Sequence, residues 1–140
     1  MKAIYPGSFD PFHEGHLEVL KKACKLFEVV YIVITKNIFK NTNPNLSSRR
    51  SQIEESVKGL GNCIVLENKD VLTGEFARNL GVNYLIRGIR DKSDLDYEIE
   101  LADANKKIFH DLETILFIAD TNKREISSTR LKEINDYKYK

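Results

Sequence analysis

A chain of 140 residues, 41% hydrophobic and 31% charged, has the balance of a soluble globular protein built on one core. Its 22 basic and 21 acidic residues leave a net charge of +1, which excludes the broad basic surface that general nucleic-acid binding needs. No stretch approaches the roughly 20 apolar residues of a membrane span, and Met1-Lys2-Ala3-Ile4-Tyr5-Pro6 holds no long apolar signal region, so a cytoplasmic protein working without a membrane is expected.

Lys2 to Tyr5 reads as a first strand. Behind it lies Gly7-Ser8-Phe9-Asp10-Pro11-Phe12-His13-Glu14-Gly15-His16, which hands over to a helix from His16 to Phe27. Leu17, Leu20, Cys24 and Phe27 form a stripe along that helix at spacings of three and four. Val29-Val30-Tyr31-Ile32-Val33-Ile34 is continuous, apolar and β-branched, as in parallel strands buried on both faces. Thr35 to Ser48 is polar and reads as a loop, with Ser47 or Ser48 capping a second helix that ends near Gly59 or Gly61.

Cys63 to Leu66 reads as a third strand, and Val71 to Leu80 as a short helix stopped by Gly81. Tyr84 to Ile86 reads as a fourth strand, followed at once by the polar cluster Arg87-Gly88-Ile89-Arg90. Ser93 or Asp94 can cap a fourth helix, about Leu95 to Phe109. Thr114 to Ile118 reads as a fifth strand, and Ser127-Ser128-Thr129 opens a last helix from Arg130 to about Asp136. Cys24 and Cys63 read as two reduced, buried thiols, and His110 as structural.

This alternation predicts the α/β class: a single doubly wound domain over residues 1–140, with a five-stranded parallel sheet, right-handed crossovers and helices on both faces. Ligands of such sheets lie outside the carboxyl ends of the strands, at a switch point. The clusters 7–16, 35–40, 87–90 and 123–129 all follow strands, so one shared site is expected there. Backbone N–H groups at a helix start, with the helix dipole, favour an anion.

Neither a GxxxxGK[ST] loop nor a GxGxxG fingerprint occurs, which argues against a Walker-type NTPase and a dinucleotide oxidoreductase. Phosphates must then be gripped by side chains, and His16, Lys40, Arg87 and Arg90 offer the donors. His13 and His16 could share a metal only with a third ligand, for which Asp10 alone is near; no metal-ligand set is assigned. Glu98 reads either as an exposed helix carboxylate or as part of the site.

The string ending in His13-Glu14-Gly15-His16 resembles the motif of the HxGH nucleotidyltransferase superfamily, which implies a Rossmann-like nucleotidyltransferase fold. Ile86-Arg87-Gly88-Ile89-Arg90, Ser93-Asp94-Leu95-Asp96-Tyr97-Glu98 and Ile126-Ser127-Ser128-Thr129 resemble the matching blocks of the phosphopantetheine adenylyltransferase family. The resemblance spans residues 3 to about 134. It implies transfer of the adenylyl group of ATP to 4′-phosphopantetheine, giving dephospho-CoA and pyrophosphate, with Mg²⁺ as cofactor and a homo-oligomer, a hexamer, as the assembly. It implies catalytic roles for His16, Lys40 and Arg90, and acceptor contacts from Ser8, Lys40, Thr73 and Arg87. For ATP it implies Ser8, Phe9, His16, Gly88, Ile89, Arg90, Glu98, Lys123, Arg124, Glu125, Ile126, Ser127, Ser128 and Thr129. His13 stands where the family usually has Thr, so a second phosphate acceptor, such as nicotinate mononucleotide, is a competing expectation. A non-catalytic nucleotide-binding module is a third.

Overall fold

The computed structural model describes residues 1–36, 46–120 and 126–138. Five strands, β1 (Lys2–Gly7), β2 (Val29–Thr35), β3 (Cys63–Asn68), β4 (Tyr84–Ile89) and β5 (Glu113–Ile118), form one parallel sheet in the order β3-β2-β1-β4-β5. Five helices alternate with them: α1 (Glu14–Leu26), α2 (Leu46–Ser56), α3 (Thr73–Leu80), α4 (Lys92–Ile108) and α5 (Ser128–Lys138). The expected five-stranded, doubly wound α/β architecture is therefore the one adopted.

Side-chain alternation along the central strands divides the core in two. Ala3, Tyr5, Ile32, Ile34 and Ile86 face α1 and α2, packing with Val19, Leu20, Ala23 and Ile53. Ile4, Val33 and Leu85 face the opposite way, against Ala77 of α3 and against Leu112, with Phe76, Leu80 and Phe109 at the margin. The strands are apolar on both faces because each face is covered by helix, as the uninterrupted run in β2 required.

β1 lies beside β2 over its full length, Lys2↔Val29 to Gly7↔Ile34, but meets β4 at the single register pair Ile4↔Leu85. The chain leaves β1 toward β2 and returns on the other side as β4. The carboxyl ends of β1 and β4 therefore lie where the crossovers change direction, the topological switch point of an open α/β sheet.

Several boundaries differ from the sequence expectation, among them the starts of α3 at Thr73 and α5 at Ser128. α1 begins at Glu14 rather than His16, because His13 is its N-cap. α2 begins at Leu46, so Ser47 and Ser48 lie inside it rather than capping it. β4 continues through Arg87, Gly88 and Ile89, which pair with Leu116, Phe117 and Ile118 of β5; the ladder overrides the polarity of the cluster. α4 begins at Lys92 with Asp91 as its cap, the Asp91 side chain accepting from the Ser93 N–H at 2.9 Å. Gly81 ends α3 in the left-handed region at φ 75°, as expected of a glycine stop.

Candidate active site

The crevice beyond β1 and β4 holds a cavity of about 930 Å³. Its floor is the loop between β1 and α1. Phe9 stands there at φ 47°, a left-handed conformation that costs a non-glycine residue of order 1 kcal/mol and persists only when its surroundings hold it. Two contacts do so. The Phe9 ring, 2% exposed, folds back over Gly7, where a Cβ would meet Phe9 Cζ at 2.9 Å. Behind it, Arg49 of α2 is buried and donates from Nη1 to the Ser8 carbonyl at 2.6 Å.

The same ring supports the first histidine of interest. Phe9 and His16 meet edge to face, centroids 5.0 Å apart at 90°, and Phe12 stacks on His16 at 5.5 Å. His13 and His16 share the start of α1 in a reciprocal cap. His13 Nδ1 accepts from the Gly15 N–H and His16 Nδ1 accepts from the His13 N–H, both at 3.1 Å. The two rings stack 3.7 Å apart at 26°.

An imidazole that accepts through Nδ1 carries its proton on Nε2 when neutral. Burial, then the adjacent His13, then the Arg87 charge pull the His16 pKa down to about 4. His16 is thus neutral at physiological pH, and its Nε2–H, which has no partner among the described residues, is a hydrogen-bond donor at a helix N-terminus that already favours anions.

The opposite wall comes from β4 and α4. Arg87 donates from Nε and Nη2 to the two oxygens of Glu98, each at 2.8 Å, and from Nη1 to the Pro6 carbonyl at 3.3 Å. Burial would lower the Arg87 pKa, but the hydrogen bonds and charge of Glu98 outweigh it, and the pKa is raised. Tyr5 lies beside this pair, and burial pushes its phenol up. Arg90, just past β4, is exposed over 79% of its side chain, with Nε 3.6 Å from Asp94 Oδ2; its backbone N–H donates to the same oxygen at 2.9 Å. Gly88 sits against α1 so closely that a Cβ would meet Val19 Cγ2 at 2.6 Å, which holds the wall bearing Arg90 near the wall bearing His16.

Phe9, His16, Arg87, Gly88, Arg90 and Glu98, all expected from the sequence, line this one cavity. Glu98 is not an exposed carboxylate but buried, 4% exposed. Ser8, Thr73, Ile89 and the segment Ile126 to Thr129 do not line it. The Ser8 carbonyl faces Arg49, Thr73 opens α3, and the Ile89 carbonyl accepts from the Ala119 N–H at 2.8 Å. Ser127 caps the exposed helix α5, its Oγ accepting from the Arg130 N–H at 3.2 Å. Lys40, Lys123, Arg124 and Glu125 lie outside the described residues.

Sequence reasoning missed Arg49, Tyr5, Asp91 and a clasp beside the cavity lining at Glu18 and Asp120. In that clasp the Asp120 N–H donates to Glu18, and Lys22 Nζ reaches the Ile118 carbonyl at 2.6 Å and Asp120 Oδ1 at 3.1 Å. The Glu18–Lys22 spacing of four was a visible signal for half of it; the partner on β5 was not.

Among the described residues no group of three His, Cys, Asp or Glu side chains could hold a metal ion. The walls bearing His16 and Arg90 offer N–H donors to anionic oxygens, while Glu18, Asp91, Asp94, Glu98 and Asp120 also line the cavity.

A family model described as cytidylyltransferase-like matches residues 4–134. The phosphopantetheine adenylyltransferase of Mycoplasma mycoides is 46% identical over 97% of this chain and 97% of its own length. That of Finegoldia magna is 38% identical over 97% of this chain and 83% of its own length. In fold, the chain is similar to a lipopolysaccharide core biosynthesis protein of Thermoplasma volcanium, with a TM-score of 0.59 at 20% identity over 88% of this chain and 98% of that one.

Proposed function

The chain belongs to the cytidylyltransferase-like family and, within it, to the phosphopantetheine adenylyltransferases, and from that membership we propose that the crevice between β1 and β4 carries out adenylyl transfer from ATP to 4′-phosphopantetheine. The products are dephospho-CoA and pyrophosphate. The observation that carries the reading is the His16 ring, oriented through Nδ1 at the start of α1 and lining the same cavity as Arg90.

The acceptor is a phosphate monoester, already ionised at neutral pH, so no general base has to activate it. One of its oxygens attacks the α-phosphorus of ATP. A new P–O bond forms as the bond from the α-phosphorus to the bridging oxygen breaks, and that oxygen leaves with pyrophosphate. The transfer is read as direct, with no covalent enzyme intermediate.

What remains for the protein is alignment of two anions and stabilisation of the equatorial oxygens. The His16 Nε2–H donates to those oxygens, and the N–H groups at the α1 start add the positive end of the helix dipole. Arg90, exposed at the cavity rim, binds the triphosphate through a planar fork. Arg87 acts differently: locked onto Glu98 and Pro6, with its charge balanced by that carboxylate, it is a fixed part of the acceptor wall rather than a swinging grip. Lys40 is assigned to the attacking phosphate by family membership. Mg²⁺ enters as the ATP complex. A homo-oligomer, a hexamer by family, and a cytoplasmic location belong to the same reading.

Pyrophosphate release tests it. With Mg²⁺-ATP, 4′-phosphopantetheine should support turnover and nicotinate mononucleotide should not. Turnover with nicotinate mononucleotide alone would transfer the reading to the other acceptor. Tight ATP binding without pyrophosphate from either would reduce the protein to a nucleotide-binding module.

A further inference from the structure

Far from the cavity, at the amino-terminal end of the sheet, two thiols face each other. Cys24 lies in α1 and Cys63 opens β3; both are free and half-buried, and their Sγ atoms are 3.0 Å apart. The sequence suggested two reduced, buried thiols. The structure brings them into contact across 39 positions of chain. The approach is held by the backbone: Asn62, next to Cys63, donates from Nδ2 to the carbonyls of Cys24 and Phe27, each at 2.9 Å. The Asn62 carbonyl accepts from the Val30 N–H at 2.9 Å, which fixes the same residue to β2. An amide thus clamps the end of α1 to the start of β3 and keeps both sulfurs in place.

We infer that Cys24 and Cys63 form a dithiol modification site, oxidised by small-molecule disulfides to an intramolecular disulfide that staples α1 to β3. A disulfide needs a sulfur separation near 2.05 Å, so the pair has roughly 1 Å to close. The step balances by thiol–disulfide exchange. A thiolate attacks the external disulfide and releases one small thiol; the second cysteine, losing its proton, then displaces the other small thiol from the mixed disulfide. Two protein thiols are oxidised and one external disulfide is reduced to two thiols. Burial, then the neighbouring Cys24, pushes the Cys63 thiol up to about 12, so the reduced pair is protonated at neutral pH and its exchange is expected to speed up as pH rises.

The bond would tie down the helix whose other end carries His16. Because the cross-link spans a long loop and closes over a native contact, it should stabilise the fold mainly by restricting the unfolded chain.

The test uses the full-length reduced protein incubated with oxidised glutathione, then denatured, alkylated and weighed. The expected result is loss of both alkylatable thiols without attached glutathione, a monomeric band on a non-reducing gel, and a melting midpoint raised by roughly 5 °C or more. Cys24→Ser and Cys63→Ser should each keep one thiol and show no such rise. Two persistently alkylatable thiols, mixed disulfides only, cross-linked dimers only, or a disulfide that lowers the midpoint would each overturn the inference. None of these readouts depends on adenylyl transfer.

Discussion

Arg87 and Glu98 meet through both arms of the guanidinium, Nε to Oε2 and Nη2 to Oε1 at 2.8 Å, with only 5% of the Glu98 side chain and 24% of the Arg87 side chain exposed. Such a pair contributes little net stability when intact, yet removing one member strands the other. Glu98→Ala is therefore expected to destabilise the fold by about 3 kcal/mol, measured by urea unfolding. A change under about 0.5 kcal/mol, the size of an ordinary surface effect, would mean that water already satisfies Arg87.

His16 gives the fold a pH signature. Its pKa falls from 6.5 to about 4 on folding, so between those values the unfolded chain binds a proton that the native state does not. Stability should fall as pH is lowered from about 6.5 toward 4, then cease to depend on this residue. The molecular event is the loss of the Nδ1 acceptor that caps the His13 N–H. His16→Asn keeps an acceptor but does not titrate, so its stability should decline less over that window. Parallel unfolding curves for the two proteins would place the titration elsewhere.

Gly88 is expected to tolerate no side chain. In Gly88→Ala the new Cβ meets Val19 Cγ2 at 2.6 Å and pushes α1 away from β4. Overpacking of this kind typically costs about 1–3 kcal/mol. Adding Val19→Ala should recover part of the loss, since it removes the clashing methyl groups. A double variant no better than the sum of the singles would show that the two residues do not collide.

Arg49 should affect rate more than binding. Its bond to the Ser8 carbonyl fixes the turn that places Phe9 against His16. Arg49→Met is expected to lower kcat by about 10–10²-fold through misplacement of the imidazole, with Arg49→Lys intermediate. Circular dichroism at the assay temperature confirms folding; equal kcat in all three proteins would free the turn from Arg49.

The sheet was legible because apolar, β-branched runs alternated with helical stripes, and that pattern has few packed solutions. Ends of elements were less so. His13 caps α1 with an imidazole, outside the usual Ser, Thr, Asp and Asn set, and Arg87 to Ile89 look like loop until β5 is placed beside them. Within the site, His16, Gly88 and Arg90 announced themselves through a motif. Arg49, the burial of Glu98 and the Cys24–Cys63 contact did not. They depend on chain segments 11 to 41 positions apart, and composition does not record such meetings.

The most direct measurement on the account is the comparison of kcat with ATP affinity in His16→Ala. A donor whose contact tightens as charge develops on the α-phosphate should cost about 10²–10³-fold in kcat when removed, while the ATP dissociation constant changes only a few-fold. Weak ATP binding with kcat intact would contradict it, and His16 would then hold the nucleotide rather than promote its transfer.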